Sequence, residues 1–242
     1  MKTHKAREAE TPDWDALVAI LESWREMLAP DNKTTLEIVG TEPSVTTIAE
    51  QYHRDAWAVL VSTILSLRTK DEVTMLASRR VLAKAPNPAA LLEVSEEELA
   101  ALAYPAGFYK TKAATLRKIA VILIQEHHGR VPADMDALLA LPGVGRKTAN
   151  LVLIEAFDMD GICVDVHVHR ISNRLGILGP QGSRDPGETE AILRRILPRK
   201  YWKRINSLLV LYGQRICRPI SPFCSRCAIS PFCGHHGVGK TR

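Results

Sequence analysis

Three groups of residues have the types and spacing to do chemistry. The first is Lys147, just past the run Leu141-Pro142-Gly143-Val144-Gly145-Arg146. Leu-Pro-Gly-Val-Gly falls between two apolar-periodic stretches and reads as a tight hairpin between helices, with Gly143 and Gly145 supplying backbone freedom. The first amides of the helix that follows lack intrahelical partners, and the helix dipole favours negative charge there. A phosphate can therefore dock on the turn without any base being read. Lys147 in that first turn is either a phosphate contact or, if held neutral, an amine nucleophile, and a helix's positive end together with partial burial disfavours an ammonium. The second group is Asp165 in Val-Asp-Val-His-Val-His-Arg, ahead of a helix. It has the position of an ordinary N-cap, which would also fix where its carboxylate points. The third is Cys217, Cys224, Cys227 and Cys233, spaced C-x6-C-x2-C-x5-C. Four thiols so close in an intracellular chain read as metal ligands rather than disulfides. Only one C-x2-C knuckle is present where zinc sites favour two, and ligand type alone does not separate zinc from iron–sulfur.

The elements that must position these groups read as helical throughout. Thr11-Pro12-Asp13 resembles an N-cap, a first-turn proline and a dipole-matching acid, opening a helix to about Met27. A loop is expected over 29–45. The run 55–66 is apolar nearly all round, as in a helix buried in a helical core. Another helix is expected over 71–84, and Ser95 with Glu98 forms a capping-box pattern for a short one ending near Tyr104-Pro105. A long helix follows Gly107–Ala113 and closes before Gly129, and one over 132–140 runs into the hairpin. Beyond the hairpin, helices are expected after Asp165 as far as Gly176, after Asp185, and over 200–214. Cys163, between Ile162 and Val164, reads as a small core residue.

Lys147 and Asp165, eighteen residues apart after a Leu-Pro-Gly-Val-Gly hairpin and followed by the four-cysteine loop, make the chain resemble the helix-hairpin-helix superfamily of base-excision DNA glycosylases, most closely the endonuclease III family. The resemblance implies an all-α fold of two helical lobes with the active site in the cleft between them. One lobe is a six-helix barrel domain with the helix-hairpin-helix over 49–158; the other is an iron–sulfur domain built from both chain ends, 1–48 and 159–242. It implies Lys147 as nucleophile, Asp165 as its charged partner and a [4Fe-4S] cluster on the four cysteines. The implied activity is removal of oxidised pyrimidines from duplex DNA, followed by β-elimination at the abasic site through a lysine Schiff base. Asp165 would stabilise positive charge on the sugar or help deprotonate the lysine; the sequence does not choose.

By motif match, two loops fill the gap left by an extruded base. Many members have glutamine where this chain has Arg68, and arginine only donates hydrogen bonds, which suits the acceptor-rich edge of guanine. Phe108 stands at the place of an apolar wedge, although a core phenylalanine reads equally well from the residues alone. Gly143 and Gly145 join the DNA-binding set through the hairpin. Lys70, Lys110, Lys112 and Arg146 are candidate phosphate contacts or solvated surface charges. His167 matches a family histidine near the pocket, with a structural role as the default. The first loop between cysteines keeps one basic residue, Arg218, where the family has several that touch phosphate.

A net charge of +5 and a pI near 9.0 suit a nucleic-acid partner without requiring one. No apolar run spans a membrane and the N-terminal stretch lacks the apolar core of a signal peptide, so a cytoplasmic, nucleoid-associated monomer acting on damaged double-stranded DNA is expected. Gly234 to Thr241 satisfies a P-loop pattern but follows no strand, which argues against nucleotide binding. The rival class is a non-catalytic module that recognises abasic or distorted DNA, against which Lys147 and Asp165 together argue.

Overall fold

The structure is a computed structural model that describes residues 12–27 and 42–242. All regular structure among the described residues is helical, and no helix is long and apolar enough to cross a membrane. Two compact units result, residues 42–161 and residues 12–27 with 162–242.

The first unit is built on α3 (Ala56–Ser66), whose residues Trp57 to Leu65 are all buried. Asp55 caps it, accepting from Ala58 N at 2.8 Å. Around α3 pack α2 (Ser44–Gln51), α4 (Asp71–Lys84), α7 (Tyr109–His127) and α9 (Arg146–Phe157). Leu60, Ile64 and Leu65 are wholly enclosed, and cutting one of them back to alanine would cost about 2–5 kcal/mol. Short helices α5 (Pro88–Leu92), α6 (Glu96–Ala103) and α8 (Met135–Ala140) complete the unit. Ser95 caps α6 as its pattern predicts, accepting from Glu98 N at 3.1 Å.

Several expectations change. The predicted 29–45 loop falls mostly outside the described residues, but its last two belong to α2, a helix not anticipated. α5 was also not anticipated; Asn87 caps it and Pro88 opens it. α8 begins three residues later than the periodicity suggests, because Asp134 accepts from Ala137 N and fixes the start there. Thr11 lies outside the described residues, and the cap of α1 (Trp14–Glu26) is Asp13. The division between units lies at 161/162, and α2 packs with the first unit.

The second unit joins α1 to α10 (Val166–Leu175), α11 (Pro186–Ile196) and α12 (Trp202–Arg215). Leu17, Val18 and Leu21 of α1 meet Val168, Ile171, Leu208 and Tyr212 in its core. The ring of Trp24 stands edge-on to Tyr212 with centroids 4.8 Å apart. Two ion pairs, Lys200 with Asp15 and Arg204 with Glu22, fasten α1 from outside. After α12 the chain has only two 3-10 turns, Cys224–Arg226 and Ser230–Phe232.

Candidate active site and cysteine centre

The hairpin between α8 and α9 is made by residues 141–145. Gly143 has φ +75°, in the left-handed region, and a Cβ there would approach Thr115 Cγ2 to 3.0 Å. Both conformation and space therefore require glycine. Gly145 departs from expectation. Its φ of −100° and ψ of 177° are open to any residue, and a Cβ would meet nothing within 4 Å. What glycine provides here is an unobstructed approach to the first amides of α9, which no side chain caps. Arg146 is exposed at the first position of α9 and Lys147 half-buried at the second, while Thr148 to Ile154 are buried. Lys147 thus sits at the positive end of a twelve-residue helix anchored in the core.

Asp165 is 9% exposed and caps α10 in the second unit. Its Oδ1 accepts from His167 N at 2.8 Å and Val168 N at 2.9 Å. Both bonds go to one oxygen, so the cap fixes the carboxylate plane and leaves Oδ2 outside the capping bonds. His167 lies half-buried with Nδ1 3.0 Å from Arg170 Nη2, and a Cβ at Gly213 would collide with its ring. Gly213 is therefore what allows α12 to pass so close to α10.

The loops after α3 and α6 come together. Arg68 and Phe108 both adopt left-handed backbone, φ +54° and +58°, a conformation non-glycine residues seldom take. Phe108 is 61% exposed, not a core residue, and the Arg68 guanidinium lies 5.5 Å from its ring centroid. Lys70 is exposed at the end of the first loop and Lys110 is exposed in the first turn of α7, just past the second. Lys112 is a correction. It is 6% exposed, and its Nζ donates to Leu65 O, Leu67 O and Thr69 Oγ1 at 2.7, 2.5 and 2.8 Å. With its three protons directed inward it is not a phosphate contact. Burial pushes its ammonium down to about 8.

The four cysteines form no disulfide and are half-buried, and Cys217, Cys227 and Cys233 pack against the second unit's core. Burial raises Cys227, and raises Cys233 to about 11, with the neighbouring cysteines adding to both shifts. Among the described residues no three His, Cys, Asp or Glu close on a single-ion site. Hydrogen-bond donors nevertheless converge on the sulfurs. Arg174 Nη1 lies 3.3 Å from Cys217 Sγ, Tyr212 OH 3.3 Å from Cys227 Sγ and His235 N 3.4 Å from Cys233 Sγ. Donors thus reach three of the four sulfurs, while Cys233 Sγ also lies 3.3 Å from Arg174 O; donors aimed at sulfur suit thiolates, and four cysteines so placed suit an iron–sulfur cluster.

Residue types alone did not single out the groups that brace this centre. Arg170 and Arg174 stand one turn apart on α10. Arg170 donates to Gly213 O and Cys217 O, at 3.1 and 2.9 Å. Arg174, 9% exposed, donates to Arg218 O and Pro219 O, both at 2.7 Å. The first cysteine loop is thus held to α10 by its carbonyls. The tail after Cys233 returns to the same helix, where Gly234 N and His236 N bond Leu175 O and Arg174 O, satisfying its last carbonyls.

Comparison with known proteins agrees with this geometry. The model of the HhH-GPD superfamily base excision DNA repair proteins matches residues 61–199. Endonuclease III of Thermotoga maritima is 42% identical over 191 residues, covering 78% of this chain and 88% of that protein. The Endonuclease III-like protein 1 of Bos taurus is 36% identical over 237 residues, 94% of this chain and 75% of that one. Among solved structures, a trapped Endonuclease III–DNA covalent intermediate in an estranged-adenine complex superposes with TM-score 0.73 at 30% identity, covering 93% of this chain and 97% of that one.

Proposed function

The chain belongs to the HhH-GPD superfamily of base excision DNA repair proteins, as a DNA glycosylase and AP lyase of the endonuclease III type, and we propose that Lys147 is its nucleophile and Asp165 the charged partner. The observation that carries this assignment is the place of Lys147, half-buried in the first turn of α9 beside an uncapped hairpin. Amides there attract the phosphates of a duplex and bring its backbone to the lysine. The relative caught as a covalent intermediate with DNA supports a nucleophilic route.

In the proposed reaction the neutral amine attacks C1′ of a nucleotide bearing an oxidised or ring-saturated pyrimidine. The N–C1′ bond forms as the bond from C1′ to the base breaks, and the base leaves with the electron pair and takes up a proton. Opening of the sugar ring gives a Schiff base. Loss of a C2′ proton gives an enamine, whose electrons form a C2′–C3′ double bond as the 3′ phosphate leaves with the C3′–O pair, and water then releases the lysine. Asp165, aimed by its two capping bonds, balances positive charge that grows on the sugar or takes the lysine's proton. Gly143, Gly145 and Arg146 bind the phosphate backbone at the hairpin, and Lys70 and Lys110 bind it beside the two loops. Phe108 enters the stack as the base leaves, and Arg68 addresses the base left without a partner.

Cys217, Cys224, Cys227 and Cys233 would hold a [4Fe-4S] cluster, and the donors converging on their sulfurs support that assignment. The group's contribution is structural, a cross-link for a segment whose own regular structure is two 3-10 turns. Borohydride reduction during reaction with duplex DNA containing thymine glycol or an abasic site tests the nucleophile. The wild-type protein should become covalently joined to DNA and Lys147→Gln should not. A cross-link that survives in Lys147→Gln would remove Lys147 from the chemistry.

A further inference from the structure

The loops carrying Arg68 and Phe108 are tied by a polar node. Thr69 Oγ1 accepts from Gly107 N at 3.0 Å and from Lys112 Nζ at 2.8 Å, and its proton goes to Leu67 O at 3.2 Å. One donor and two acceptors are all a threonine hydroxyl has, so this one is saturated. Lys112 spends its other two protons on Leu65 O and Leu67 O, carbonyls at the end of α3 and the start of the loop. The two backbones also touch, because a Cβ on Gly107 would lie 2.5 Å from Arg68 O. On either side of this node stand Arg68 and Phe108 in left-handed backbone. Such a conformation persists at non-glycine residues only where the surroundings over-determine it.

We propose that Thr69 and Lys112 are positioning residues that lock Arg68 and Phe108 into one preformed wedge, so that the duplex is opened by a rigid two-pronged tip rather than by two independent loops. In this role they depend on the insertion of Arg68 and Phe108 proposed above. A buried lysine would be an odd provision for an ordinary surface turn. Its cost in desolvation is understandable where the turn must not yield when pushed into stacked bases.

Thr69→Val keeps the shape and deletes the hydroxyl, whereas Thr69→Ser keeps the hydroxyl. Single-turnover base release would be measured on thymine glycol in a fully paired duplex, and on thymine glycol opposite an abasic analogue, where the lesion is already loosely stacked. Thr69→Val is expected to slow release from the paired duplex by about tenfold or more, equivalent to about 1.4 kcal/mol. On the loosened duplex it should stay within about threefold of wild type, and Thr69→Ser should behave as wild type on both. The fluorescence of 2-aminopurine next to the lesion, which rises as the stack opens, should rise less with Thr69→Val. Equal losses on both substrates, no loss on either, or failure of serine to restore the rate would overturn the proposal. Phe108→Ala separates the two levels. If it leaves the paired duplex unaffected, insertion itself is wrong and the wedge falls with it. If it slows that substrate and Thr69→Val does not, insertion stands and the lock alone is wrong. Lys112→Met removes the donor of Leu65 O and one donor each from Leu67 O and Thr69 Oγ1 and invites misfolding, so the threonine variants carry the test.

Discussion

Replacing Asp165 by asparagine separates a cap from a catalytic charge. Both capping bonds run to Oδ1, and asparagine presents an oxygen in the same place and is as good an N-cap as aspartate. What Asp165→Asn loses is the negative charge at the start of α10, worth about 0.3–1 kcal/mol against the helix dipole. Asp165→Ala loses the cap as well, a further cost of about 1 kcal/mol. In a chain of this size 1 kcal/mol moves the melting point by roughly 2–4 °C, so Asn should sit within a few degrees of wild type and Ala a few degrees below that. Removing a group that stabilises charge in a transition state typically costs about 100- to 1000-fold in rate. Single-turnover release of base from a thymine glycol duplex, measured beside thermal melting, therefore gives a clear result: Asp165→Asn is nearly as stable as wild type but at least about 100-fold slower. Asn activity within about threefold of wild type would reduce Asp165 to a cap and refute its catalytic role. Trapping on a ready-made abasic site refines the answer, since no bond to a base remains to be broken. If Asp165 only steadies charge during base loss, Asp165→Asn still traps; if it takes the lysine's proton, trapping falls as well.

The remaining expectations concern the loop, the buried lysine and the cysteines. Arg68→Gln should lower cleavage opposite guanine relative to adenine by about fivefold or more, the scale of one lost pair of base-edge hydrogen bonds; an unchanged ratio would show that Arg68 does not read the widowed base. Lys112 is pushed down to about 8 by burial from an ordinary value of 10.5, so between those values the unfolded chain holds a proton that the folded chain has released. The cost of burying the ammonium is complete below pH 8 and is relieved as pH rises towards 10, so wild-type stability should climb relative to Lys112→Met across that interval. A flat or falling difference in melting temperature would contradict the burial. Cys227→Ser should abolish a broad visible absorbance band and lower the melting point, whereas a colourless, equally stable wild-type protein would exclude the iron–sulfur assignment.

Several helix starts were legible from their caps. Asp55, Ser95, Asp165 and Asp185 each accept a backbone amide two or three residues ahead, and α4 spans Asp71–Lys84 as its pattern predicts. α2 and α5, at eight and five residues, are too short to express a 3.6-residue period, and α5 carries only its Asn87-Pro88 start as a signal. The hairpin, Asp165 and the four cysteines are contiguous motifs and could be read directly. Lys112, Arg170 and Arg174 could not, because their partners are carbonyl oxygens more than forty positions away. A carbonyl looks the same in every residue, so no residue type announces that a lysine or arginine will be buried against it.

Lys112 and Lys147 show how far that limit reaches. Each is a lysine near the start of a helix, and sequence pattern ranked both as possible phosphate contacts. At Lys112 the folded chain offers two carbonyls and a hydroxyl, all acceptors, so the side chain is taken up by loop structure despite the cost of its burial. Lys147 instead lies half-buried in the first turn of α9, whose start no side chain caps. The structural role of Lys112 therefore follows from the two carbonyls and the hydroxyl that face its Nζ. This is a property of the turn at 66–70, and exchanging that turn should free Lys112 from its buried place.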